Sequence, residues 1–513
     1  MKIEINEDFK LALKLIQEGK NIFITGKAGT GKSTFLRYFI ENSDIPFVIL
    51  APTGVAALNI GGQTIHSFFK ILPHESLSDI NGILKRHSRE SIEMLKEVEL
   101  IIIDEVSMLR ADLFDLMDVI LRKLLKKKKN FAGKQLLLVG DLYQLPPVIN
   151  SREKKAYLEI YNSPYFFSAE CYDELNIKIV EFEKIYRQKD IEFINILNRI
   201  RNGTVTEEDI NFINRKCSKN PPQNKELFVY LTPYNETARK TNEEKLHELK
   251  GKEYIFKGEI DGEFNIDFLP TDEVLRLKKN AQVMMLTNNW DGGWVNGTIG
   301  KILEFEDEET ILVETDEGKI IRVMPFEWDI FDYEYDRTKD RINKRKIGSF
   351  RQFPLRLAWS ITIHKSQGKT FNNVVLDIGR GAFSPGQTYV ALSRCTSLDG
   401  LYLVKPLSLK HVFIDRKIIK FMTESRYKES ELETPLEKKI EIIREAIASK
   451  SKMEIVYLKK SDEKSRRVIL PLYLGKMQYS GKEFFGLTAF CFERNEERNF
   501  RLERILEMKK LDE

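Results

Sequence analysis

Short apolar runs separated by amphipathic stretches set the rhythm of the first part of the chain. Asn21-Ile22-Phe23-Ile24-Thr25, Leu100-Ile101-Ile102-Ile103 and Gln135-Leu136-Leu137-Leu138-Val139 are runs of strand length with no polar alternation. Such runs suit parallel strands covered on both faces. The first passes through glycines into Phe35-Leu36-Arg37-Tyr38-Phe39-Ile40, which has a helical pattern, so an α/β architecture is expected. Residues 69 to 98 read as a polar helical insertion. Between 251 and 350 the pattern changes to short strands: Gln282–Thr287, Thr310–Thr315 and Lys319–Val323. Turn signals at Asp291-Gly292-Gly293, Asn296-Gly297 and Asp316-Glu317-Gly318 divide them, which predicts a small β-barrel. Glu429-Ser430-Glu431-Leu432-Glu433-Thr434-Pro435 reads as a charged linker. Leu436, Ile440, Ile443 and Ala446 then repeat at helical spacing, and strands are expected at Met453–Leu458, Arg467–Leu474 and Glu483–Phe492.

The chain has 513 residues, too many for one hydrophobic core. Its 42% apolar and 31% charged residues describe an ordinary globular protein. No apolar run approaches the roughly 20 residues that span a bilayer, and the polar start Met1–Asp8 is no secretion signal. A cytoplasmic protein with no membrane partner is expected. The net charge of +4 decides little, because a basic groove can sit inside a balanced total. Cys171, Cys217, Cys395 and Cys491 have no CxxC pairing, and the six histidines lack metal-ligand spacing.

Chemistry enters at Gly26-Lys27-Ala28-Gly29-Thr30-Gly31-Lys32-Ser33-Thr34. A GxxxxGK[ST] loop between strand and helix cradles phosphate oxygens with backbone N–H groups. Gly26, Ala28, Gly29, Thr30, Gly31, Lys32, Ser33 and Thr34 are therefore candidate ATP-binding residues. Lys32 reaches the β- and γ-phosphates, and Ser33 offers its hydroxyl to magnesium. Asp104 and Glu105 follow the second run, where carboxylates emerge on the ligand-binding edge of an α/β sheet. Asp104 is the second magnesium ligand and Glu105 the general base for water. Taken alone the pair also suits a helix cap. Gln144 follows the third run, either as a sensor of the γ-phosphate or in a polar turn closed by Pro146-Pro147.

Taken together, Gly26–Thr34, Asp104–Met108 and Gly140–Val148 resemble superfamily-one helicases, group B, and most closely the Pif family. Ala51–Ala57 with Gly62–Phe68 is similar to that family's strand-contacting motif, and Asn130–Leu136 to its signature. Ile185–Gln188, Leu197–Gly203, Ala358–Thr370 and Gly386–Arg394 continue the resemblance in order. It implies a 5′→3′ DNA helicase with two RecA-like P-loop domains, 1–180 and 181–410, using ATP and magnesium. The first holds a wedge-like insertion at about 69–98, and the second a Src-homology-3-like β-barrel at about 251–350. The family assigns Thr53, Gly54, Thr64, His66, His364 and Lys365 to DNA, and Gly368 to the nucleotide side. Arg187 and Arg394 are expected to reach the γ-phosphate from the second domain. Single-stranded DNA and DNA forks or G-quadruplexes are the implied partners, and a monomer the implied state. The family's adenine-reading glutamine is missing near Asp8-Phe9-Lys10, where Phe9 either stacks on the base or packs.

After a linker at 411–434, residues 435–513 resemble a WYL domain, with Phe485-Gly486-Leu487 at the namesake tripeptide. Such a domain points to a bacterial chain with ligand or nucleic-acid contact. Arg494, Arg498, Arg501 and Arg504 form either a polyanion site or a solvated surface. Lys126-Lys127-Lys128-Lys129 reads as a solvated helix end. Two other readings keep every motif: an ATPase clamp that does not separate strands, and a motor gated by the C-terminal domain.

Overall fold

The computed structural model describes residues 5–150, 152–188, 190–217, 227–264, 266, 269–289, 293–336, 338, 341–379, 381–382, 384–459, 464–479 and 482–511. The start Met1–Glu4 and the turn residues Asp291 and Gly292 lie outside the described residues. The chain divides into two compact units: Met1–Leu197 with Thr206–Phe413, and Asn198–Val205 with Ile414–Glu513.

In the first unit the three apolar runs become β1 (Ile22–Gly26), β4 (Leu100–Ile103) and β5 (Gln135–Val139). With β2 (Phe47–Ala51), β3 (Gln63–Thr64) and β6 (Lys178–Phe182) they form one parallel sheet, ordered β3-β2-β4-β5-β1-β6. β1 and β4 are buried along their whole length, as apolar side chains on both faces require. Helix α1 (Glu7–Gln17) is capped by Asn6, whose side chain accepts from Phe9 N at 2.9 Å. Phe9 packs rather than stacks on a base: its ring lies 5.2 Å from Phe35 and 5.0 Å from Phe182, deep in the core. Helix α2 (Lys32–Asn42) follows β1, and α3 (Gly54–Ile60) follows β2. The insertion at 69–98 is helical, at Ile80–Lys85 and Arg89–Glu97.

Asn130–Gly133 is a tight turn leading into β5. Phe131, Ala132 and Gly133 all have positive φ (51°, 54° and 83°), an arrangement that non-glycine residues adopt only when surroundings hold it. Phe131 N donates to buried Asp118 at 2.6 Å, and its ring packs 4.9 Å from Phe114. Buried Lys134 donates to Val98 O and, at 3.3 Å, to Lys96 O, closing the end of the Arg89–Glu97 helix. The lysine run begins at Lys126, the C-cap of helix Ala111–Leu125, as expected for a solvated helix end.

A second parallel sheet orders Ser360–Thr362, Val229–Thr232, Val374–Leu376 and Leu401–Leu403. Residues 251–350, expected as one small barrel, are antiparallel throughout but belong to three sheets. The largest runs Ile320–Val323, Ile311–Thr315, Ile299–Phe305, Gln282–Met285, Leu355–Leu357. A long hairpin, Phe326–Asp336 against Arg341–Gln352, stands apart with Glu259–Gly262. Its Tyr333 hydroxyl accepts from Ile49 N at 2.9 Å, covering an amide that the two-residue β3 leaves at the margin of the first sheet.

In the second unit the expected linker 411–434 is mostly helix, Arg416–Glu433. The charged residues toward its end suggested a linker, yet Ile418, Met422, Arg426 and Ser430 fall on one buried face at four-residue spacing. Ser430 Oγ donates to Leu506 O at 2.6 Å, and buried Lys439 donates to Ser430 Oγ and Ile505 O. Helix Leu436–Ala448 packs on an antiparallel sheet ordered Glu496–Arg501, Lys482–Cys491, Lys464–Tyr479, Met453–Leu458, Ile505–Lys510. Ile443, Ala446, Met453, Ile469, Leu487 and Phe500 fill its core. Residues 198–205 pack with this unit. Gly203 has φ +67°, and a Cβ there would lie 3.5 Å from Ile414.

Candidate active site

The loop leaving β1 turns inward because Gly26, Gly29 and Gly31 all adopt positive φ (148°, 80° and 89°). A Cβ at Gly29 would lie 2.4 Å from the Arg187 side chain, so only glycine lets the two segments touch. Lys32 Nζ donates to Gly26 O at 2.7 Å and Lys27 O at 3.0 Å, and Thr30 Oγ1 to Lys27 O at 2.9 Å. Ser33 and Thr34 are exposed on the first turn of α2.

Asp104 and Glu105 stand at the C-terminal end of β4, with Glu105 in the left-handed region (φ 50°). Burial pushes both carboxyls up from their ordinary range; for Glu105 the adjacent Asp104 adds to it, while Lys32 draws both down. Gln144 Nε2 donates to Asp141 at 3.2 Å, inside the same buried group. A hydroxyl and a carboxylate are hard oxygen donors of the kind magnesium selects. The Ser33 hydroxyl and the Asp104 carboxylate are donors of that kind, so their chemistry fits a divalent ion.

Across the cleft, helix Gln387–Leu392 brings Tyr389 to the loop, where the phenol accepts from Ala28 N at 3.1 Å. Arg394, two residues past that helix, is fully buried. It donates to Val390 O at 2.8 Å, Lys369 O at 3.2 Å and Ser393 Oγ at 2.8 Å. Burial, then Arg187, pushes it down from the arginine range, and Glu105 and Asp141 oppose this. Arg187 was expected on the second domain, but it follows β6, and Tyr186 N donates to Gly29 O at 2.9 Å. Its backbone thus rests on the phosphate loop while its guanidinium reaches Ser393 O and Gly368 O at 3.4 Å. The boundary drawn at 180 cuts β6, which ends at Phe182.

Gln367 Nε2 donates to Glu105 Oε2 at 3.0 Å. Neither Gln367 nor Tyr389 was singled out in the sequence. Both lie inside quoted motifs; the signal for Gln367 was a polar side chain two residues from Lys365, and Tyr389 carried none beyond its place in the motif that ends at Arg394.

The nucleic-acid candidates occupy other strand ends. Thr53 caps α3 by accepting from Ala56 N at 3.3 Å, with Gly54 buried beside it. Thr64 caps the short helix bearing His66, accepting from Ser67 N at 3.2 Å. Burial, then Arg110, lowers the pKa of His66; burial alone lowers that of His364. Lys365 is exposed and lowered chiefly by Arg356. Thr64 lies on β3, four places from β1 in the sheet, so Thr64 and His66 flank the nucleotide groups rather than join them.

A phosphate loop on one parallel sheet, with Arg187 resting beside it and Arg394 and Tyr389 facing it from the side of the second, defines a P-loop motor ATPase. The sequence model of PIF1-like helicases matches residues 4–211, and that of the WYL domain matches residues 438–510. The ATP-dependent DNA helicase Pif1 of Bdellovibrio bacteriovorus is 32% identical over 82% of this chain and 92% of its own. The human ATP-dependent DNA helicase PIF1 is 31% identical over 85% of this chain and 66% of its own. The crystal structure of Bacteroides Pif1 with ADP-AlF4 superposes with TM-score 0.76 at 36% identity, covering 83% of this chain and 98% of that one. The structure of Bacteroides Pif1 bound to single-stranded DNA gives 0.60 at 36% identity, with the same coverage. The chain belongs to the Pif1 helicase family: it is an ATP-hydrolysing DNA helicase with a C-terminal WYL domain. Among the described residues no helix is long and apolar enough to cross a membrane.

Proposed function

We propose that the chain is a 5′→3′ motor whose stroke is the closing and opening of the cleft between the two parallel sheets. The observation that carries this reading is that Glu105, Arg187 and Arg394, from three segments, all bond to the single turn Gln367-Gly368-Lys369. Ser33 and Asp104 would hold magnesium, which supplies positive charge to the phosphate oxygens when bound. Lys32 exchanges its carbonyl partners for the β- and γ-phosphates. Glu105 takes a proton from the attacking water as the bond between the γ-phosphorus and its bridging oxygen breaks, and its buried setting raises its basicity. Gln144 orients the water or contacts the γ-phosphate. Arg187 and Arg394 neutralise the charge that grows on the transferring phosphoryl group. Since they reach the site from different segments, cleft closure assembles it and product release opens it.

Thr53, Gly54, Thr64, His66, His364 and Lys365 hold the phosphates of the tracked strand. Bacteroides Pif1 has been solved bound to single-stranded DNA, and a matching Pif1 structure describes unwinding at forked duplex DNA by two coordinating helicases, which supports forks as substrate; G-quadruplexes stand as a second substrate. The polarity follows from the family resemblance, and the enzyme acts as a cytoplasmic monomer. In the WYL domain, Arg501 lies 4.6 Å over the Phe484 ring, a cation–aromatic surface suited to nucleic acid. Arg498 and Arg501 also pair with Glu496 and Glu503, which tempers their attraction for a polyanion. The test is ATP turnover with single-stranded DNA and magnesium. Lys32→Ala and Glu105→Gln should each abolish it; retained turnover in either removes that residue from its assigned role.

A further inference from the structure

The turn from His364 to Lys369 links the two halves of the proposed site. Its first two residues, His364 and Lys365, face DNA in that reading. The last three each touch a hydrolytic group: Gln367 Nε2 donates to Glu105 at 3.0 Å, Gly368 O accepts from Arg187 at 3.4 Å, and Lys369 O accepts from Arg394 at 3.2 Å.

The turn is stiff enough to transmit a displacement. Ser366 N donates to Thr362 O at 3.0 Å, Gln367 N to His364 O at 3.2 Å and Lys369 N to Ser366 O at 3.0 Å. The Ser366 hydroxyl, fully buried, donates to Ile363 O at 2.7 Å. A second tie runs to the other DNA-facing segment. Lys369 Nζ donates to Asn296 Oδ1, and Asn296 Nδ2 donates to Asn59 Oδ1 at 3.3 Å. Asn59 is on α3, whose first turn carries Thr53 and Gly54. DNA spanning these two segments would therefore pull on the turn from both ends.

The Gln367 amide engages an oxygen of Glu105 that would otherwise hold the attacking water. A carboxylate oxygen already accepting a hydrogen bond is a poorer acceptor for a second proton. We propose that Gln367 is a positioning residue that restrains Glu105 until DNA engages His364 and Lys365, so that strand binding releases the base and switches on ATP hydrolysis. This rests on Glu105 as general base. It adds the regulation of that base and the residue responsible.

The experiment is steady-state ATP turnover of the full chain with magnesium, without DNA and with saturating oligo(dT), for the parent chain, Gln367→Met, Gln367→Asn and Glu105→Gln. Methionine keeps the volume of Gln367 and removes its N–H donors; asparagine is one methylene shorter and cannot span to Glu105. Both should raise DNA-free turnover by about tenfold, the scale of one hydrogen bond to a charged group. Both should leave the DNA-saturated rate near the parent value, so stimulation by DNA shrinks. A merely structural role cannot give this, because damage to the cleft lowers both rates. Unchanged or reduced DNA-free turnover in the variants whose thermal melting matches the parent overturns the proposal. Turnover retained in Glu105→Gln would instead overturn the base assignment, whatever the Gln367 variants do.

Discussion

Gly386 is the residue at which closure of the cleft can be tested by a single added methyl group. It precedes helix Gln387–Leu392 with φ +73°, and a Cβ there would lie 2.4 Å from Gln144 O and 2.5 Å from Tyr143 O. Both are backbone atoms of the opposite motor domain, so no side chain can swing aside. Ordinary contact needs roughly 3.5 Å, so Gly386→Ala must spread the cleft by about 1 Å. The left-handed backbone adds roughly 1–2 kcal/mol of strain to the second domain. Gly386 O accepts from Val390 N at 2.9 Å, and Arg394 Nε bonds to Val390 O, so the shift passes along the helix to Arg394. A misplacement of about 1 Å at a catalytic group costs on the order of 10²-fold in rate. In a coupled ATPase assay with saturating oligo(dT), Gly386→Ala should lose about 100-fold in kcat with little change in KM. The control is Gly318→Ala: its φ is +78° and a Cβ there meets nothing within 4 Å, so it has the strain without the wedge. Wild-type kcat in Gly386→Ala, or an equal loss in Gly318→Ala, would refute the reasoning.

Arg394→Ala should lower kcat by roughly 10³-fold or more while nucleotide affinity, measured by fluorescent-nucleotide titration, changes far less. Lys134 gives a pH dependence. Burial lowers its pKa from the ordinary 10.5 to about 8, so between those values the unfolded chain binds more protons than the folded one. Stability should then rise with pH from about 8 to 10.5, and Lys134→Met should flatten that rise in urea titrations at pH 7.5 and 9.5. His66 and His364 both have lowered pKa values and are neutral near pH 7. Single-strand affinity by fluorescence anisotropy should therefore strengthen only as the pH falls well below the ordinary histidine value of 6.5, and lose part of that gain in His66→Ala.

The parallel core was legible because its strands announce themselves. Leu100-Ile101-Ile102-Ile103 has no other comfortable home than a strand covered on both faces, and the carboxylates behind it fall where such a strand ends. The phosphate loop was equally plain, since its glycines are demanded by positive φ at Gly29 and Gly31. What escaped was long-range. Arg187 was placed on the second domain because motif order says nothing about which sheet a connecting segment rests on; the contact with Gly29 decides it. The helix Arg416–Glu433 read as a linker because its few buried positions are diluted by charge. The hairpin Phe326–Gln352 went unseen because its pairing involves partners up to 26 positions apart (352 − 326), and its dock on Ile49 lies 284 residues away. Gln367 and Tyr389 gain their meaning only from a cleft that two distant motifs form together.

The proposed motor enters from a 5′ single strand and separates duplex DNA by hydrolysing ATP. The direct measurement is displacement from two duplexes, one with a 5′ tail and one with a 3′ tail, with ATP, magnesium and a Lys32→Ala control. Strand release is expected from the 5′-tailed duplex alone, and none with Lys32→Ala. Release from the 3′-tailed duplex, or DNA-stimulated ATP turnover with no displacement from either, would contradict it.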